Sequence, residues 1–153
     1  MKKLPVIALV LVLGCTASAE AKSLTLKGGI KGDANSKIAL KLEINPLHGT
    51  PESVIKFTYS GIDTFQSPAP GQIGDPCTIG EQSGKLPPAS PSVYPGSPGV
   101  YTFNAVDPNG GDAIQGRGSL TPYQNVKKAV GNITFLQPDH SVCASKQFKL
   151  KKT

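Results

Sequence analysis

The sequence predicts an all-β protein: an antiparallel immunoglobulin-like β-sandwich of about seven strands, carried behind a signal peptide. Three observations point there. Apolar residues recur at every second position in several short runs, the period of a strand with one buried and one wet face. Clusters of Gly, Pro, Asn and Asp separate those runs and supply turn chemistry. No stretch after the leader carries the 3.6-residue period of an amphipathic helix. At 153 residues the chain is the size of one domain, long enough to bury a core.

Met1-Lys2-Lys3 is a positive n-region, and Leu4 to Leu13 an apolar h-region. Thr16 to Ala21 then offers small-x-small cleavage sites after Ala19 or Ala21. Together these read as a secretory signal peptide over residues 1–21, too short in its apolar part to span a membrane. No other stretch reaches the length of a transmembrane helix, and the opening has a bacterial character. Val12-Leu13-Gly14-Cys15 is similar to the bacterial lipobox, except that Leu13 stands where Ala or Ser is usual. Lipidation at Cys15 would anchor the protein to a membrane, whereas cleavage downstream would release it. Soluble export, to the periplasm or medium, is the expectation; a lipoprotein is the alternative.

Residues 22–153 then form the single domain. Ser23 to Ile30 is a first strand, with Leu24, Leu26 and Ile30 on one side, and Gly32 to Ser36 is a turn. Lys37 to Asn45 has the strictest alternation in the chain: Ile38, Leu40, Leu42 and Ile44 against Lys37, Ala39, Lys41 and Glu43. Asn45-Pro46 ends it, because Pro lacks the donor a ladder needs. Past a loop with His48 and Gly49, Ser53 to Ile62 is a third strand with Ile55, Phe57 and Tyr59 on one face.

Gln66 to Pro98 holds eight of the 14 prolines and no sustained alternation. It is expected to be a long loop, the kind of segment that signals function, with a short strand around Cys77 to Ile79. Alternation resumes from Gly99 to Val106, and Asp107 to Asp112 contains Asn109-Gly110, a strong hairpin signal. Ile114 to Leu120 follows, with Gly116 and Gly118 marking bends, a bulge or close backbone approach. Lys128 to Gln137 sets Ala129, Gly131, Ile133 and Phe135 on one face. The last strand, Lys146 to Lys152, holds Phe148 and Leu150 between lysines, a composition suited to a sheet edge.

With Cys15 removed or modified, Cys77 and Cys143 remain. Two cysteines in an oxidising compartment most simply form one disulfide, and a loop of this length would stabilise the domain by roughly 4 kcal/mol. Metal or redox thiols fit less well, since the separation is far from C-x-x-C.

The 16 basic and 10 acidic residues give +6. Cleavage after Ala21 removes two of the former and one of the latter, leaving +5. Arg117 is the sole Arg. Lys is a point charge, while Arg has the planar fork suited to bases and phosphates. A Lys-rich, Arg-poor chain therefore argues for diffuse attraction to anionic envelope polymers, not for nucleic-acid recognition.

Candidate chemistry is sparse. His48 and His140 lie in loops beside Pro, without metal-ligand spacing. No Gly-x-Ser-x-Gly elbow or Ser-His-Asp set is present, and Glu43, Glu52 and Glu81 sit on an exposed strand face or in loops, not as a catalytic pair. No catalytic residue, metal or cofactor is assigned. The weak ligand candidates are Asp107, Asn109 and Asp112, which could offer oxygens to calcium but lack EF-hand spacing, and Tyr94, which with Tyr101 and Tyr123 could stack on a sugar. Pro88 to Pro91 fits P-x-x-P and reads as a stiff polyproline-like loop. Asn132-Ile133-Thr134 is a glycosylation sequon placed mid-strand and is discounted.

Gly29 and Gly32 around the first strand, Cys77 after the third, Cys143 before the last, and Gly116, Gly118 and Gly131 in later strands give the chain a pattern. In this it resembles small exported bacterial β-sandwich proteins with no established function. The resemblance implies a fold and export, without an activity; the Pro-rich insert departs from it.

The sequence thus predicts a monomeric, exported, non-catalytic protein that binds a protein or an anionic envelope polymer, with the 66–98 loop as a partner surface separable from the fold. A carbohydrate- or calcium-binding module is the alternative.

Overall fold

The computed structural model describes residues 21–64, 81–96, 100–106, 114–122, 124–136 and 142–153. The expected signal peptide, Cys15, Cys77 and the 107–112 turn lie outside the described residues. Among the described residues nine strands follow in order: β1 (Lys22–Ile30), β2 (Lys37–Ile44), β3 (Pro51–Asp63), β4 (Glu81–Leu86), β5 (Pro88–Pro95), β6 (Tyr101–Val106), β7 (Ile114–Thr121), β8 (Lys128–Leu136) and β9 (Val142–Lys152). All pair antiparallel in one sheet of order β4-β3-β2-β1-β9-β8-β7-β6-β5. Among the described residues no helix is long and apolar enough to cross a membrane.

The two strands at the ends of that order, β4 and β5, are separated in the chain only by Pro87. The run 81–95 pairs with β3 through its first half and with β6 through its second. The sheet is therefore curled until its ends meet, with eight strand positions around an axis. At the seam β3 lies against β5, and the buried Val54 N–H donates to Ser92 Oγ at 3.0 Å in place of a ladder bond. One curled sheet of nine strands replaces the expected sandwich of about seven. Alternation of apolar and polar residues is the same in both architectures; pairing across Pro87 separates them.

Phe57 on β3, Phe103 on β6 and Phe148 on β9 meet on the axis, with ring centroids 5.8–6.2 Å apart. All three are 0% exposed. Eight strand positions leave an interior just wide enough for side chains to fill, and here rings fill it. Truncating any of them to Ala would cost roughly 3–5 kcal/mol. Room for the rings comes from the inward face of β7 and β8. A Cβ at Gly116 would lie 3.1 Å from the Phe57 ring, and one at Gly131 would strike the Arg117 carbonyl oxygen. Close backbone approach is thus the role of these glycines.

The strict alternation of β2 is met: Ile38, Leu40, Leu42 and Ile44 are all buried. Elsewhere bulges change the parity. Lys41 faces Lys56 but Leu42 faces Val54, so Ile55 is the extra residue of β3. Val54 and Phe57 then both point inward, and Ile55, expected in the core, is 43% exposed. On β9, Phe135 faces Ala144 but Leu136 faces Val142, which turns both Cys143 and Ala144 inward.

Two further expectations are corrected. Residues 81–95 of the supposed loop are strands, so they cannot be a surface separable from the fold, and Glu81 opens β4 instead of sitting in a loop. The last strand begins at Val142 and lies between β1 and β8, not at an edge. Lysines between buried residues mark a wet outer face, which a central strand of a curled sheet also has.

Candidate functional site

The outer face of the sheet is where charge collects. Along β1, β2 and β9 the residues that alternate with the core ones include Lys27, Lys37, Lys41, Lys149 and Lys151, and the pairing register sets some of them side by side. Thr121, Lys128, Lys151, Lys27, Ala39, Thr58 and Lys85 follow one another across β7, β8, β9, β1, β2, β3 and β4. Four lysines stand in that row and no carboxylate does. Two residues further along β2, Lys41 faces Lys56. Like charges directly opposite destabilise a sheet, so three such contacts (Lys27–Lys151, Lys151–Lys128 and Lys41–Lys56) are a cost that packing does not require.

The row continues onto the end of the barrel formed by residues 45–49 and 124–128. Lys152 N–H donates to the Lys127 carbonyl at 2.8 Å, and Lys127 N–H to that of Thr121 at 3.0 Å. These bonds hold Lys127, Lys128, Lys151 and Lys152 around a common recess beside Asn125 and Thr153. None of the described carboxylates lines that recess. Asp33, Asp63 and Glu81 line the opposite end with Lys31 and Lys146. Glu43 accepts from Ser53 Oγ at 2.7 Å, and Glu52 from Asn45 Nδ2 at 2.7 Å. Among the described residues the end with Lys22, Lys127, Lys128, Lys151 and Lys152 is thus lysine-rich, and Glu43 and Glu52 stand at the same end.

Of the residues singled out from sequence, Tyr94 pairs with Thr102 while Tyr101 pairs with Pro95 and Leu120. Neighbouring register positions face opposite sides of a sheet, so Tyr94 and Tyr101 do not form one stacking platform; Tyr101 packs against the core. Asp107, Asn109, Asp112, Tyr123 and His140 lie outside the described residues. His48 is exposed in the 45–49 loop. Cys143 is buried and has an interaction partner. No group of three His, Cys, Asp or Glu is placed to hold a metal among the described residues. Sequence reading found the lysine excess but missed its location; the signal was the lysine parity on β1, β2 and β9, legible only once the register is known.

No family model, no curated protein and no solved structure matches this chain.

Proposed function

We propose that this is an exported, non-catalytic binding protein whose ligand is an anionic polymer of the cell envelope or extracellular space, held by the lysine row and the lysine-rich end. The observation that carries the reading is the juxtaposition of Lys27, Lys151 and Lys128 on three adjacent strands. A polyanion laid across them replaces mutual repulsion with attraction, which offsets the stability the free protein gives up. The lysines are point charges on flexible stems, suited to tracking a charged chain without reading its sequence. Neighbouring strands lie about 4.7–4.9 Å apart, so the backbones of Lys27, Lys151 and Lys128 follow one another at that spacing, within reach of a single polyanion laid across the strands. Export behind residues 1–21 and a disulfide between Cys77 and Cys143 belong to the same reading; burial of an engaged Cys143 supports the second.

The test is equilibrium binding of the mature protein to long-chain inorganic polyphosphate across a salt series. Binding at about 50 mM salt that weakens steadily as salt rises is expected, since counterions are released on association. The triple variant Lys27→Gln, Lys128→Gln, Lys151→Gln should bind at least tenfold more weakly with an unchanged circular dichroism spectrum. No binding at low salt, or equal binding by the variant, would overturn the proposal.

A further inference from the structure

A second feature lies at the same end of the barrel but is not part of the lysine row. Between the 45–49 loop and the Asn125–Val126 segment runs a cleft of ≈ 300 Å³, the lower end of the range for small-molecule sites. Its floor is apolar: Leu24, Ile44 and Val126, of which Ile44 and Val126 belong to the core. Lys22 and Lys152 stand on its rim, and Leu47 forms part of its wall.

Leu47 is the most exposed large apolar side chain among those described, at 79%, yet its backbone is held firmly. Asn45 Oδ1 accepts from Leu47 N–H at 2.9 Å and from His48 N–H at 3.0 Å. Gly49 N–H donates to the Asn45 carbonyl at 2.9 Å, and Asn125 N–H to the Gly49 carbonyl at 3.0 Å. The loop is therefore stitched to itself and to the far wall of the cleft, and the leucine is presented by a fixed backbone. No described carboxylate lines the cleft, and the charged side chains on its rim are those of Lys22 and Lys152.

An apolar floor, a presented leucine and a rim of two ammonium groups together match a molecule that is apolar at one end and anionic at the other. We propose that this cleft binds a single-chain amphiphile with an anionic head, its alkyl chain against Leu24, Ile44, Val126 and Leu47 and its head between Lys22 and Lys152. The cleft is open on one side, so the chain is covered in part and the site favours short chains. Burial of the alkyl part supplies most of the affinity, and the lysines discriminate between a charged and a neutral head.

The experiment titrates the mature protein with decanoate below its micelle-forming concentration, followed by amide chemical shifts. Saturable shifts at Leu47, Gly49 and Val126 are expected, with decanol (chain without charge) and acetate (charge without chain) each binding at least tenfold more weakly. Lys22→Gln with Lys152→Gln should cost at least tenfold, and Leu47→Ser at least threefold, with unchanged melting temperature. The Lys27, Lys128 and Lys151 triple variant should bind decanoate as wild type does, which separates this site from the lysine row; Lys152 is shared with the lysine-rich end. Absent saturation, shifts confined to other residues, equal binding of decanol or acetate, or insensitivity to the cleft variants would each overturn the assignment.

Discussion

Replacing Lys151 with Gln should make the protein more stable. Lys151 is the middle of three lysines in register, facing Lys27 on one side and Lys128 on the other. Each like-charge contact across strands costs roughly 0.2–1 kcal/mol. The three side chains are exposed, and solvent screening puts such pairs at the low end of that range. Removing two contacts should therefore return about 0.4–0.8 kcal/mol. For a domain of this size that is a rise of about 2–5 °C in Tm. Differential scanning calorimetry in low-salt buffer is the assay, with Lys151→Arg as the charge-retaining control. At about 1 M salt the Debye length falls to roughly 3 Å, and the gain should vanish. A lower Tm, no change at low salt, or a gain that persists at high salt would refute the reasoning. The same variant should bind polyphosphate more weakly, so stability and binding move in opposite directions.

The other predictions concern the curled sheet. Ser92→Ala strips the buried Val54 N–H of its acceptor at the seam and should cost about 1–3 kcal/mol, with faster amide exchange at Val54; exchange and stability equal to wild type would remove the seam bond from the account. Gly131→Ala puts a methyl group against the Arg117 carbonyl and should cost about 1–3 kcal/mol as β7 and β8 are forced apart; an unchanged urea midpoint would show that the approach is looser than described. Deleting residues 81–95 removes the run that pairs with both β3 and β6, and the product should show no cooperative thermal transition. A cooperatively folded deletion product would mean that this run is an appendage after all.

The all-β class, the burial of one face of β2 and the extents of β7 and β8 were written in the alternation of single side chains. Those signals are local: a strand with one wet face needs a period of two wherever it sits. The lysine excess was legible from composition alone. Three things were not. The parity of β3 and β9 depends on bulges at Ile55 and Cys143, and a single extra residue turns every later side chain to the other face. The closure of the sheet depends on residues 81–95, whose prolines and glycine mask a strand pattern because their partners lie elsewhere in the chain. And the lysine row exists only through register: Lys27, Lys128 and Lys151 are far apart in sequence, and antiparallel pairing around the axis is what brings three like charges to one place. Composition determined that the protein would be basic; the tertiary structure decided where that charge would act.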